Sequence, residues 1–160
     1  MDENEQRIAA ALAWIVSALE RHQVPHQLVG GLAARAHGAT RELVDIDFYA
    51  PLDKATTLLD EIRPYITWGP RHHRSSSWDL VFVKIDYNGQ RIEIGDTSSR
   101  PKFFSRRDGC WLDQRIDYDR ATAIPILGVV VPVMPKDELI DYKSALQRDV
   151  DWIDIEQLSG

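Results

Sequence analysis

Two aspartates separated by a single residue stand in the apolar segment from Val44 to Phe48. Side chains at positions i and i+2 of a β-strand point to the same face, so Asp45 and Asp47 are expected to lie together while their apolar neighbours face the core. Paired carboxylates can hold one or two hard divalent cations beside a phosphate chain. The pair therefore predicts a site for metal-assisted phosphoryl chemistry, with Mg²⁺ as the expected ion and Mn²⁺ as an alternative.

A glycine pair lies upstream of the aspartates, directly after the apolar residues Leu28 and Val29. A turn at Gly30 and Gly31 would expose backbone N–H groups at the start of a helix, an arrangement that binds phosphate. These glycines are therefore candidate nucleotide-binding residues. Arg41 is a further candidate for contact with a triphosphate, although a plain surface charge explains an arginine at this position equally well.

The third expected metal ligand comes from a predicted hairpin around Asn88-Gly89, a dipeptide that strongly favours a two-residue turn. Such a turn pairs Lys84 with Glu93 and places both on the polar face of the hairpin. Asp86 shares this face but borders the turn, whereas Glu93 lies in the middle of its strand. Glu93 is therefore the preferred third ligand, and the alternative is a solvated residue paired with Lys84.

Three blocks of the sequence together resemble the polymerase-beta-type nucleotidyltransferase superfamily. The blocks are residues 30–47, residues 92–94 and residues 139–158, and the resemblance is to the small branch that contains abortive-infection nucleotidyltransferase toxins and lincosamide nucleotidyltransferases. It implies a metal-dependent enzyme that moves a nucleotide from a nucleoside triphosphate to an acceptor hydroxyl. It also implies a phosphate-binding role for Lys143, with the catalytic and metal-binding carboxylates on Asp45, Asp47 and Glu93.

Two residues depart from the pattern of this family. Gly31 stands where many relatives have a serine, and Glu93 stands where aspartate is more common. A backbone N–H can replace the serine hydroxyl, and glutamate also binds magnesium. The departures nevertheless leave open a non-catalytic nucleotide-binding partner in a toxin–antitoxin pair, which would bind an antitoxin protein.

Hydrophobic periodicity predicts the elements that must position these residues. Helices are expected at residues 4–22, 32–37, 53–62, 136–147 and 149–158, and strands at 26–29, 43–49, 79–87, 90–96 and 129–133. Residues 68–77 and 97–122 show no clear period, which predicts irregular segments. With the resemblance, this pattern indicates an α/β fold: a small, mixed, twisted β-sheet with helices packed on one face. We expect a single domain over residues 1–160, with the C-terminal helices at 136–158 packed on it.

The expected acceptor follows from the distribution of basic residues. The net charge is −6, but positive residues cluster in two segments, which could bind a tRNA acceptor. The arginines concerned are Arg71, Arg74, Arg100, Arg106 and Arg107. Trp68 and Trp78 flank the first cluster and could stack on a base. A small-molecule, antibiotic-type acceptor is the alternative.

Chain length, cysteine content and the N-terminal sequence bear on the size of the core and the cellular location of the protein. A chain of 160 residues can form its own hydrophobic core, and its one cysteine has no partner for a disulfide. The N-terminus is acidic and lacks the features of a signal peptide, and the most apolar run contains two prolines. These observations predict a cytoplasmic protein that does not associate with membranes.

Overall fold

The computed structural model describes residues 1–159. Its α-helices are α1 (Glu3–Arg21), α2 (Gly30–Ala36), α3 (Thr56–Ile62), α4 (Lys136–Leu146) and α5 (Asp149–Ser159). Its strands are β1 (Gln27–Val29), β2 (Ile46–Ala50), β3 (Ile66–Arg74), β4 (Trp78–Tyr87), β5 (Gln90–Asp96), β6 (Lys102–Ser105), β7 (Cys110–Asp113), β8 (Thr122–Ile126) and β9 (Val129–Val133). Single 3₁₀ turns lie at Leu52–Lys54, Arg63–Tyr65, Thr97–Ser99 and Tyr118–Arg120.

The strands form one mixed sheet in the order β7-β6-β4-β5-β2-β1-β9-β8, and β3 pairs with β4. Strands β2 and β5 are parallel, as are β1 and β9, whereas the other neighbours are antiparallel. The α/β class and the mixed sheet expected from the sequence are confirmed. The central strands β1, β2 and β5 carry the residues on which the candidate site depends.

Helix α1 is amphipathic and buries one face in the main core. Its buried residues recur at helical spacing: Ile8, Ala11, Leu12, Ile15, Val16, Ala18 and Leu19. Asp2 caps the helix by accepting a hydrogen bond from the Glu5 backbone N–H at 2.8 Å. The helix packs on β5 and β9, so it covers the sheet face that carries the buried residues of the hairpin. This packing leaves the opposite face of β5 available for polar side chains.

The hairpin β4–β5 has the register that the sequence predicts. Tyr87 pairs with Gln90, and Lys84 pairs with Glu93. Gly89 in the turn has a φ of 88°, a value that glycine adopts without strain. The alternation of side chains therefore places Glu93 and Lys84 side by side on the polar face.

Two segments expected to be irregular contain strands. Residues 68–77 belong largely to β3, and residues 97–122 contain the antiparallel pair β6–β7. Strand β3 pairs only with β4 within residues 1–159, and its register shifts on both sides of Trp68. Edge strands tolerate charged residues, proline and bulges because one side needs no hydrogen-bonding partner. The absence of hydrophobic alternation in β3 follows from this edge position.

The C-terminal helices contact several parts of the domain. Helix α4 contacts α5, β6 and α2, and α5 also contacts α2. Leu139 and Leu158 belong to the same core cluster as α1 and the central strands. Among residues 1–159, each helix is too short or too polar to cross a membrane. Helix α4 and the link between α4 and α5 place Lys143 and Arg148 next to the polar face of the central strands.

We expect Gly95→Ala to destabilise the protein by about 1–3 kcal/mol, because overpacking a filled space forces its neighbours to move. A Cβ atom at Gly95 would lie 2.5 Å from Cε1 of Tyr49, its partner across β2 and β5. The measurement is urea unfolding of the single variants and of Gly95→Ala combined with Tyr49→Ala. The cost of Gly95→Ala should nearly vanish in the Tyr49→Ala background, and an unchanged cost there would refute this explanation.

Candidate active site

Backbone pairing arranges one row of residues straight across five strands. Val29 pairs with Asp47, Asp47 with Glu93, Glu93 with Lys84, and Lys84 with Trp68. Neighbouring strands lie about 5 Å apart, so Asp47 and Glu93 are immediate neighbours on the sheet. The row begins beside the glycine turn at the end of β1 and ends at the aromatic side chain of Trp68.

Asp45 joins this row from just outside β2, which begins one residue later at Ile46. The strand is therefore shorter at its start than the sequence predicts, but Asp45 still lines the same pocket as Asp47 and Glu93. Its nearest cation is Arg91, whose Nη1 atom lies 3.9 Å from Oδ2. Asp86 does not line this pocket and instead accepts a hydrogen bond from the Gly89 backbone N–H in the hairpin turn.

Burial and neighbouring negative charges disfavour the ionised forms of Asp47 and Glu93. Burial, together with the negative charges of Glu93 and Asp45, raises the pKa of Asp47 to about 7. Burial and the charge of Asp45 also raise the pKa of Glu93. Like charges held close together in a partly dry site behave in this way unless a cation compensates them. This electrostatic strain is a property expected of carboxylates that bind a divalent ion.

The carboxylate set suits an ion that binds together with its substrate. Among residues 1–159, no group of three histidine, cysteine or acidic side chains, including Asp45, Asp47 and Glu93, lies close enough together to hold a metal ion. Magnesium is commonly held by one or two carboxylates, with substrate phosphates and waters completing its octahedron. Asp45, Asp47 and Glu93 offer carboxylate oxygens, the atom type that Mg²⁺ and Mn²⁺ prefer, and one or two of them would suffice together with a substrate phosphate.

The glycine turn lies directly against the carboxylates. Gly30 has a φ of 71°, and a Cβ atom at this position would lie 2.6 Å from Oδ2 of Asp47. A Cβ atom on Gly31 would lie 2.8 Å from Nη2 of Arg41. The guanidinium of Arg41 therefore occupies the space beside Gly31 into which a side chain at this position would extend.

Arg41 is fixed in place by a buried aspartate on α5. Its Nε and Nη2 atoms donate to the two carboxylate oxygens of Asp154 at 2.9 and 3.0 Å. Asp154 is completely buried, and the Arg41 side chain is 26% exposed. Burial alone would raise the pKa of Asp154, but hydrogen bonds from Arg41 and Lys143 outweigh burial and hold the pKa below its ordinary value.

Lys143 lies between two buried aspartates. Its Nζ atom is 2.9 Å from Asp154 and 3.5 Å from Asp151, and its side chain is 2% exposed. Arg148 makes a two-pronged contact with Asp151 at 2.8 and 2.9 Å. Together, Arg41, Lys143 and Arg148 carry one more charge than Asp151 and Asp154 balance, so this network has an excess of positive charge near the three carboxylates.

A pocket of about 530 Å³ opens over the row of paired residues. Gly30, the three carboxylates, Lys143 and Arg148 line one part, and Trp68, His73, Phe82 and Lys84 line another. Trp78 also lines the pocket, and its indole N–H donates to the Tyr142 hydroxyl at 2.8 Å. The volume lies within the range typical of small-ligand sites.

Several lining residues carry no local signal in the sequence. Tyr49, Leu80, Gly95 and Tyr142 come from three strands and a helix, and only the folded chain brings them together. The spacing of Asp151 and Asp154 gave a partial indication of the buried network, because two acids three positions apart on a helix lie on the same face. Arg148 precedes Asp151 by the same spacing, which would have favoured the ion pair.

The arginines expected to bind tRNA occupy different environments. Arg71 lies over the Trp68 ring on the pocket face of β3, whereas Arg74 lies near Asp79 and the Trp111 ring. Arg107 forms ion pairs with Asp108 and Asp141. Part of the positive charge in these clusters is therefore already balanced by acidic neighbours.

The fold is that of a known structural class, as comparison with solved structures shows. A Thermotoga maritima protein provisionally described as a nucleotidyltransferase superposes with a TM-score of 0.67 at 19% identity, covering 83% of this chain and 80% of the other. The lincosamide antibiotic adenylyltransferase LnuA, bound to lincomycin, gives 0.61 at 17% identity, covering 100% and 98%. The complex of ANT(2'')-Ia with adenylyl-2''-tobramycin gives 0.56 at 17% identity, covering 94% and 86%.

The chain therefore has the nucleotidyltransferase fold, which confirms the structural expectation drawn from the sequence resemblance. No family model and no curated protein sequence matches it. At these identities the similarity establishes the fold, and the chemistry must be argued from the residues of this chain.

Without divalent cations, stability should fall as pH rises from about 4 to about 7. Asp47 has a native pKa raised from 3.8 to about 7, so the folded protein retains a proton that the unfolded chain has lost, and ionisation at higher pH costs folding free energy. The full difference corresponds to about 4 kcal/mol, and we expect about half because Asp47 borders the open pocket. Urea unfolding across this pH range should show the slope in the wild type and in Asp53→Asn, but much less in Asp47→Asn. An equal slope in all three proteins would exclude Asp47 as its source.

Lys143→Met should destabilise the protein by about 3–5 kcal/mol, because removing one partner leaves a buried charge without compensation. Lys102→Met provides the control, since Lys102 pairs with Asp113 at 2.8 Å on the exposed surface and its loss should matter much less. Thermal and urea unfolding of both variants measure the difference. Equal effects of the two substitutions would contradict a structural role for the buried network.

Proposed function

We propose that this protein transfers a nucleotide from a nucleoside triphosphate to an acceptor hydroxyl, with release of pyrophosphate. The observation that carries the proposal is the row that places Asp47 and Glu93 side by side, next to Asp45 and the glycine turn. Carboxylates that share a pocket with Gly30, Lys143 and the partly exposed Arg148 suit a metal-bound triphosphate better than an uncharged substrate. The nucleotidyltransferase fold supports the same chemistry.

Each group has a distinct part in the proposed reaction. Asp45, Asp47 and Glu93 would hold Mg²⁺ or Mn²⁺, which when bound supplies charge stabilisation for the transferred phosphate and the attacking oxygen. Backbone N–H groups at Gly30 and Gly31 would orient the phosphates, as would the guanidinium of Arg41. Positioning and electrostatic stabilisation then supply most of the rate.

Lys143 contributes to the proposed site by partly balancing the charges of two buried aspartates. Its ammonium group lies between Asp151 and Asp154. Asp151 holds Arg148, which lines the pocket, and Asp154 holds Arg41 beside Gly31. Direct contact between Lys143 and the nucleotide phosphates stays a prediction from the family resemblance. Arg148 is better placed for that contact, because its side chain lines the pocket and is partly exposed.

The acceptor could be a small molecule or a tRNA. LnuA was solved with lincomycin and ANT(2'')-Ia with an adenylylated tobramycin, and a small-molecule acceptor is compatible with a pocket of about 530 Å³. A tRNA acceptor, an antitoxin partner and a cytoplasmic location stay predictions from the sequence. A non-catalytic nucleotide-binding protein is the rival function, and it predicts binding without transfer.

Nucleoside triphosphate and Mg²⁺ together should raise the melting temperature by more than the sum of their separate effects, because ligands stabilise the state to which they bind. Asp45→Asn combined with Asp47→Asn should abolish this joint effect. Asp53→Asn combined with Asp60→Asn is a matched control on the surface. Calorimetric titration measures the affinities directly, and unchanged affinity in the Asp45/Asp47 variant would refute the metal assignment.

Transfer itself is tested with each α-labelled nucleoside triphosphate, Mg²⁺, total tRNA and a small-molecule extract. Label should appear in one acceptor fraction and disappear for Asp47→Ala. Label in tRNA that weakens when Arg106 and Arg107 are neutralised would support an RNA acceptor. Nucleotide binding without label in any fraction would establish the non-catalytic alternative and refute the proposed transfer.

A further inference from the structure

The row of paired residues from Val29 to Trp68 differs on the two sides of the carboxylates. This difference suggests that the nucleotide and the acceptor bind on opposite sides. On one side of Asp47 lie Val29 and the glycine turn, and on the other side lie Glu93, Lys84 and Trp68. If the triphosphate occupies the glycine turn, as the proposed function requires, the space beyond Glu93 is left for the acceptor. Trp68 lies two strands from Glu93, about 10 Å across the sheet, a distance that one ring-sized group can span.

Aromatic side chains line this second side. The rings of Trp68 and Phe82 have their centroids 4.8 Å apart, and the imidazole of His73 meets both edge-on at 6.3 and 5.8 Å. Leu80 lines the pocket beside them. We refer to Trp68, His73, Leu80 and Phe82 as the acceptor wall. Because these side chains are only partly buried or exposed, they present an apolar surface to the pocket.

Positive charge surrounds the acceptor wall. Lys84 Nζ lies 5.4 Å and the Arg71 guanidinium carbon 5.3 Å from the centre of the Trp68 ring. Among residues 1–159, the only acidic side chains that line the pocket are Asp45, Asp47 and Glu93, which the proposed function assigns to the metal. The nearby Asp79 does not line the pocket and is paired with His72. A positively charged acceptor would therefore find no free counter-charge here.

We infer that the acceptor is a small hydroxyl compound with an apolar or aromatic ring and no positive charge. The inference rests on the proposed function, since it takes the glycine turn as the nucleotide side. Its ring lies against Trp68 and Phe82, and its hydroxyl reaches the carboxylates beside Glu93. The wall selects against polycationic sugars such as tobramycin. Arg74 and Arg107 lie beside acidic neighbours, which balance part of the positive charge that a nucleic acid would contact.

The test uses the full chain saturated with Mg²⁺ and a non-hydrolysable ATP analogue. Isothermal calorimetry compares phenyl glucoside, phenyl glucuronide, tobramycin and a short RNA with a free 3′ hydroxyl. The two phenyl compounds should bind, and tobramycin should bind at least about tenfold more weakly than phenyl glucuronide. Trp68→Leu and Phe82→Leu should each weaken phenyl glucuronide binding by about tenfold. Lys84→Gln should reduce the difference in affinity between phenyl glucuronide, which is anionic, and tobramycin, which is cationic.

Trp152→Leu provides the matched control, because Trp152 is 50% exposed on α5 and does not line the pocket. Unchanged affinity for the ATP analogue in each wall variant shows that the protein remains folded. The inference is overturned if the analogue binds normally but tobramycin or RNA binds most tightly, if no probe binds, or if neither wall variant alters probe affinity. Failure of the wild type to bind the analogue with Mg²⁺ would instead refute the proposed function.

Discussion

The mutual repulsion of three neighbouring carboxylates is the constraint around which this molecule is organised. Asp47 and Glu93 face each other on parallel strands, and Asp45 adds a third negative charge at the same pocket. Burial, and after it the negative charges of Glu93 and Asp45, raises the pKa of Asp47 to about 7. Under the proposed function, a bound divalent cation would convert the repulsion among these groups into affinity.

Two features of the structure make this arrangement possible. The hydrophobic face of the central strands is buried under α1, so the backbone positions of the carboxylates are fixed by the core. On the pocket side, the cationic network anchored on Asp151 and Asp154 supplies positive charge that partly offsets the carboxylates. Stability and function are therefore coupled through α5, which contributes the buried aspartates of this network.

Gly31 stands where many relatives have a serine, and the position of Arg41 explains why a glycine fits there. A serine at position 31 would need room that the Arg41 guanidinium occupies, because a Cβ atom there would approach Nη2 to 2.8 Å. The glycine and the arginine are therefore compatible as a pair, and under the proposed function the charge of Arg41 would replace a phosphate contact that a hydroxyl makes in relatives. Edge strand β3, in contrast, contributes Trp68 and His73 to the pocket, where side chains can vary without disturbing the core.

The sequence by itself determined the features that depend on local patterns. The Asn88-Gly89 turn set the register that places Glu93 opposite Lys84, and the periodicity of α1 predicted its buried face. The sequence also identified the residues that the structure gathers into one pocket, Asp45, Asp47 and Glu93. These predictions succeeded because turn geometry and side-chain alternation act over a few residues.

Only the tertiary structure decided which distant segments meet. The parallel pairing of β2 with β5 put Asp47 beside Glu93, and the docking of α5 placed Asp154 against Arg41. Strand β3 was missed because an edge strand does not need hydrophobic alternation, so its polar sequence is typical of a loop. Long-range pairing depends on the whole core and on the compensation of buried charges, and neither is encoded in the spacing of residues along a single segment.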